Sequence, residues 1–159
     1  MEQRGPGHTV GSVKIYEKGF LDYKADIQAS IDKLDFMNDP EAFDKKSELE
    51  GMKLACDAIM ILGERYAAYA RELAEKETDE TRKKELLQIA ANCDVVPAHK
   101  PQTYWQAIQM YWFVHLGVTS ELNPWDAYSP GRLDQHLNPF YEKDVEDGIL
   151  DDEKALELL

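Results

Sequence analysis

The chain has 159 residues, and its 31 acidic and 18 basic side chains leave a net charge of −13. That balance argues against nucleic acid and anionic membrane surfaces as partners, and no run approaches the roughly 18 uninterrupted apolar residues of a membrane span. Hydrophobic residues make up 43% of the chain, enough for a core, and the length suits one compact domain or part of a larger one. The two cysteines, Cys56 and Cys93, do not make a disulfide framework. Met1 to Gly11 is polar and holds no apolar signal core, so the expected compartment is the cytoplasm.

Arg4-Gly5-Pro6-Gly7-His8-Thr9 reads as a loop, because glycine and proline punctuate it. Val10 to Tyr16 reads as extended. A helix fits Gly19 to Leu34, with Leu21, Ile27, Ile31 and Leu34 at mostly helical spacing. In Asn38-Asp39-Pro40-Glu41, Asp39 suits a cap and Pro40 the first helical position. The helix that follows has a long stripe through Leu49, Met52, Cys56, Ile59, Gly63, Tyr66, Ala70 and Leu73, at spacings of three and four. Gly63 on this stripe favours close approach of a neighbour.

A shorter helix fits Glu80 to Asn92, and Pro97 and Pro101 bracket a connector. Thr103 to Leu116 is rich in aromatics, with Tyr104, Trp105, Tyr111, Trp112 and Phe113. Apolar residues fall on nearly every side of it, as in a fully buried helix. Such a helix needs more surrounding structure than 159 residues supply. Asn123 to Gly131 is a second loop, and Leu133 to Asp144 reads as a helix interrupted by Pro139. Asp151 caps a last helix that the chain's end leaves short, as in a truncated domain. The pattern is mainly α.

Four histidines are present, without HExxH or paired Cys/His spacing, so no metal site is expected. Cys56 and Cys93 read as buried small hydrophobes, and His115 as a hydrogen-bonded core residue. His8 follows Pro6-Gly7 in a tight loop that can aim its imidazole, the side chain suited to moving protons near neutral pH. Asp126, beside Trp125 and Pro124, is placed for partial desolvation, which raises a carboxyl pKa toward that of a working acid. A loop histidine and a turn-capping aspartate are equally ordinary readings of both.

Three segments together resemble one family. Pro6-Gly7-His8-Thr9 resembles the P-G-H-T loop of glycyl radical dehydratases. Tyr104-Trp105-Gln106-Ala107-Ile108-Gln109 with Tyr111-Trp112-Phe113-Val114-His115 resembles their aromatic helix. Glu121-Leu122-Asn123 and Ser129-Pro130-Gly131-Arg132-Leu133-Asp134-Gln135-His136-Leu137 resemble their S-P-G-R-x-D-Q segment. The resemblance, to glycyl radical enzymes of the pyruvate formate-lyase-like type, spans nearly the whole chain and a minor part of a full-length member.

The resemblance implies a helical fragment from the N-terminal half of an α/β barrel, with residues 1–159 forming part of a single domain truncated at both ends. It implies an anaerobic lyase in which a backbone glycyl radical, installed by a radical S-adenosylmethionine activating enzyme with an iron–sulfur cluster, generates a thiyl radical that attacks a small-molecule substrate. Neither Cys56-Asp57-Ala58 nor Cys93-Asp94-Val95 has the glutamate that follows the thiyl cysteine, and no R-V-[AS]-G-[YF] motif is present. The chain is therefore expected to bind no cofactor and to be inactive alone, within a parent that is a homodimer. Pro124-Trp125-Asp126 departs from the G-H-S of glycerol and choline members, and Trp125-Asp126-Ala127 followed by Ser129-Pro130-Gly131 is similar to the trans-4-hydroxyproline dehydratase group. Proline stands at 124 in place of the usual glycine, which leaves room for another substrate such as an arylacetate. In that dehydratase group His8 and Asp126 would be catalytic acids, and His8, Trp125 and Asp126 would line the substrate pocket. The alternatives are a fragment of an arylacetate decarboxylase or of a formate acetyltransferase-like C–C lyase, and, from another class, a non-catalytic helical interaction module.

Overall fold

The structure, a computed structural model, describes residues 11–121 and 130–159. Every regular element among them is a helix: α1 (Lys14–Glu17), α2 (Phe20–Ile31), α3 (Ala42–Lys76), α4 (Glu80–Val95), α5 (Tyr104–Glu121), α6 (Leu133–Glu146) and α7 (Asp152–Leu158). The mainly helical expectation holds. Among the described residues no helix is long and apolar enough to cross a membrane.

Helices α2, α3 and α4 form two antiparallel hairpins that share α3. Lys24 reaches Asp57 at 2.5 Å and Lys53 reaches Gln28 at 2.6 Å, which sets α2 against α3. An ion pair between Arg71 and Asp94 does the same for α3 and α4. The buried seam of α3 runs through Cys56, Ile59, Gly63, Ala67, Ala70 and Ala74. Three members of the expected stripe, Met52, Tyr66 and Leu73, are exposed instead. The seam is displaced because small side chains let α4 come close, and a ring or a Leu there would hold it off.

Caps delimit the elements. Asp79 accepts the Arg82 N–H at 2.9 Å and opens α4, and Asp151 accepts the Lys154 N–H at 2.7 Å and opens α7. Before α3, the Asp39 carboxylate takes the Glu41 N–H at 3.0 Å and Lys45 at 2.7 Å, so the helix begins at Ala42 rather than at Pro40. The expected extended stretch around residue 16 is instead the short helix α1, which buries the adjacent Ile15 and Tyr16. Pro139 does not interrupt α6. It lies on the exposed face, as does Gln135, so solvent serves the carbonyl whose helical bond proline forfeits.

The core centres on α5. Its Ala107, Met110, Phe113 and Val114 are buried with Val96 and Leu137. Burial on every side was expected for this helix, and one face achieves it: Trp112 is 50% exposed, and Trp105 and Tyr111 are half-buried. The α5 N-terminus is held from outside the helix, where Asp144 of α6, 2% exposed, accepts the Tyr104 N–H at 2.7 Å.

Two glycines on α3 separate packing from propensity. A Cβ at Gly63 would lie 2.6 Å from Pro97 Cδ and 3.3 Å from the Val96 carbonyl oxygen, whereas one at Gly51 would meet nothing within 4 Å. Gly51→Ala is expected to stabilise the fold by about 0.5–1 kcal/mol through helix propensity. Gly63→Ala is expected to destabilise it by about 1–3 kcal/mol despite the same gain. Urea unfolding of the two variants checks the opposite signs.

Candidate functional site

The residues assigned chemistry from sequence, His8, Trp125 and Asp126, lie outside the described residues. The elements that flank their segments are described. Downstream of His8, the chain turns through Gly11 at φ +68° and Ser12 at φ +50° into α1. Downstream of Asp126, Gly131 at φ +72° leads into α6, whose first turn is closed by Gln135 and His136 N–H groups donating to the Arg132 carbonyl at 2.9 Å each. Arg132 pairs with Asp134 at 3.3 Å on the surface.

These two flanks meet. The Tyr16 ring of α1 lies 5.6 Å from the His136 ring and 6.1 Å from the Phe140 ring, centroid to centroid. The last two stand one turn apart on α6. On α5, Tyr111 places its hydroxyl 3.3 Å from His115 Nδ1, and His115 stacks on Trp112 at 5.7 Å. Aromatic rings with polar edges thus gather where α1, α5 and α6 converge. Burial pushes the Tyr16 phenol up to about 12, with Tyr111 adding to the rise, and burial also raises Tyr111. Both therefore stay neutral at physiological pH. Sequence reading gave no role to Tyr16 or His136. Tyr16 closes a stretch that reads as extended from sequence, and His136 is one letter of a longer motif.

The thiols are different. Cys56 and Cys93 are free and buried in the α2–α4 hairpins. Desolvation raises both, Cys93 to about 11 with Asp94 adding to the effect, so neither forms a thiolate readily. Among the described residues no three His, Cys, Asp or Glu side chains converge to hold a metal.

Residues 1–159 match the family model described as pyruvate formate lyase-like. The chain belongs to the pyruvate formate lyase-like family. It is 69% identical over its full length to trans-4-hydroxy-L-proline dehydratase of Clostridioides difficile, of which it covers 20%. A crystal structure of hydroxyproline dehydratase from the same organism, with trans-4-hydroxy-L-proline bound, superposes with a TM-score of 0.93 at 68% identity, over 99% of this chain and 20% of that one. A glycyl radical enzyme from Archaeoglobus fulgidus superposes with a TM-score of 0.87 at 35% identity, over 97% of this chain and 20% of that one. The chain thus spans about a fifth of the length of these relatives. Within this glycyl radical family its helices correspond to an N-terminal piece of the longer proteins.

The raised phenol of Tyr16 has a pH signature. Its folded-state pKa, about 12, lies above the ordinary value of 10.0. The stabilisation is therefore fully present below pH 10 and is lost as pH rises from 10 toward 12, by about 2–3 kcal/mol for a shift of this size. Unfolding free energies across that window are expected to fall in the wild type and to fall less in Tyr16→Phe. Absorbance titration at 295 nm should show one tyrosine fewer ionising late in the variant.

Proposed function

We propose that this chain is part of a longer glycyl radical dehydratase that removes water from a small hydroxylated substrate of the trans-4-hydroxyproline type. The observation that carries the reading is the 69% identity, sustained over all 159 residues, to an enzyme with that activity. The loop segments agree with it, since Trp125-Asp126 stands where the glycerol and choline members carry a different sequence.

The radical machinery belongs to the rest of the parent in this reading. In this reading neither thiol of the chain takes the thiyl role, because both are buried in packed helical seams and lack the following glutamate. In the parent, a glycyl radical installed by an activating enzyme with an iron–sulfur cluster supplies hydrogen abstraction from the substrate. The chain's own contribution is to the leaving group. A hydroxyl departs poorly as hydroxide and well as water, so an acid within hydrogen-bond reach lowers the barrier. His8 and Asp126 are that acid pair, one donating its proton to the departing oxygen and the other sharing or relaying it. Trp125 walls the pocket and keeps water from the carboxyl. The parent is a cytoplasmic, anaerobic homodimer, and residues 1–159 are one portion of its single catalytic domain. The exposed Trp112 of α5 is where the rest of that domain packs in this reading.

Two outcomes test this. The isolated chain, treated anaerobically with a radical S-adenosylmethionine activating enzyme, is expected to give no glycyl radical signal by electron paramagnetic resonance and no turnover. In the longer protein, His8→Ala and Asp126→Asn are each expected to lower dehydration of trans-4-hydroxyproline by about 10²- to 10⁴-fold, with radical yield unchanged. Wild-type turnover in both variants, or preference for an arylacetate substrate, overturns the assignment.

A further inference from the structure

Two buried polar atoms where α1 meets α6 have no hydrogen-bond partner: the Tyr16 hydroxyl oxygen and His136 Nδ1. The rings that carry them lie side by side, with centroids 5.6 Å apart and planes inclined at 45°. Tyr16 is 6% exposed and His136 half-buried, with Phe140 closing one side. Ring packing explains the carbon atoms of this contact but neither polar atom. A phenylalanine at 16 would pack equally well and would leave no hydroxyl to satisfy. Buried donors and acceptors in folded proteins are almost always paired, through protein or through an ordered water with two or more polar partners.

We infer that Tyr16 and His136 form a positioning clasp, in which one bound water bridges the Tyr16 hydroxyl and His136 Nδ1 and fixes α1 against α6. The phenol donates to the water, and the water donates to Nδ1 of an imidazole protonated on Nε2, so each polar atom is satisfied and no net charge is created. The neutrality of the phenol through the physiological range keeps its proton available for this bond. The functional consequence rests on the reading above. Tyr16 follows His8 by eight positions, and His136 follows Asp126 by ten, so the clasp ties the anchor of one acid-bearing segment to the anchor of the other. Rings alone tolerate sliding, whereas a hydrogen-bonded bridge sets direction and distance. Neither residue need touch substrate; both act through where they hold the two segments.

The test uses the longer protein that contains this chain, in four variants: Tyr16→Phe, His136→Leu, His136→Asn and the double Tyr16→Phe/His136→Leu. Asparagine keeps a hydrogen-bonding atom near the position of Nδ1, and leucine does not. Tyr16→Phe and His136→Leu are each expected to lower kcat roughly five- to tenfold, the scale of one lost hydrogen bond acting on acid placement, with KM within about twofold. His136→Asn should recover most of the loss, and the double variant should be no worse than either single one. Wild-type kcat in Tyr16→Phe, additive losses in the double variant, or a His136→Asn as impaired as His136→Leu would each overturn the clasp, the last by reducing it to ring packing. Thermal unfolding midpoints of the same set separate the two ideas. Should the wild type fail to dehydrate hydroxyproline, the same non-additivity and asparagine recovery in the midpoints sustain the clasp, and their absence ends it.

Discussion

The structure hangs on a four-residue connector, residues 96–99, pressed between three helices. Val96 and Pro97 are fully buried. From one side α3 leaves room for them only because residue 63 is glycine. From the other, α2 begins by donating its first two free N–H groups to the connector, Phe20 to the Pro97 carbonyl at 2.9 Å and Leu21 to the Ala98 carbonyl at 3.1 Å. Gly19 sits so close that a Cβ would lie 2.2 Å from the Ala98 carbonyl oxygen. A helix start that would otherwise need a side-chain cap is thus satisfied by backbone from the far end of the hairpin. The connector also ends α4 and leads to α5, so four helices are set in one place.

From that corner the order passes to α5 and then to α6. The Thr103 hydroxyl accepts the Gln106 N–H at 3.3 Å, but the tighter hold on the α5 N-terminus is the buried carboxylate of Asp144. Asp144 uses its backbone carbonyl as well, taking the Ile149 N–H at 2.8 Å and the Leu150 N–H at 3.1 Å in the turn that leads toward α7. One residue therefore fixes the start of α5, the end of α6 and the approach to α7, which returns to α5 by setting Lys154 over the Trp105 ring at 5.3 Å. With α5 and α6 locked in this way, the flanks of the candidate site are determined by elements remote from it.

Local chemistry was legible in the sequence where a single residue decides. The cap at Asp151, the connector between Pro97 and Pro101, and the helical spacing of α2 to α5 follow from residues a few positions apart. What failed depended on partners. The stripe on α3 holds at Cys56, Ile59, Gly63 and Ala70, but α4 demands small side chains, so the seam also takes in Ala67 and Ala74 and leaves Met52, Tyr66 and Leu73 outside. Proline at 139 signals a break only if the lost bond faces the interior, and the sequence does not state which side of α6 is wet. Asp144 looked like one more charge in an acidic chain, since nothing local says that its carboxylate meets a helix end 40 residues away. The family resemblance rests on two loop motifs and the aromatic helix, and the loop motifs name candidate residues without stating what holds them. Tyr16 and His136 became visible only as a tertiary pair.

The placement of charge bears on the chemistry assigned to the loops. The ion pairs among the described residues join partly exposed side chains, apart from the one that Lys143 makes with buried Asp144. Where α1, α5 and α6 converge, the groups that meet are neutral phenols and half-buried rings. Such surroundings bias any acid that enters them. Burial without a compensating cation disfavours a carboxylate, and burial without an anion disfavours an imidazolium. Desolvation of this kind pushes a carboxyl toward its protonated form and an imidazole toward its neutral one. A chain with 31 acidic side chains could not tune one of them in this way on its solvated surface. The aromatic corner differs from that surface in offering rings and neutral phenols in place of ion pairs.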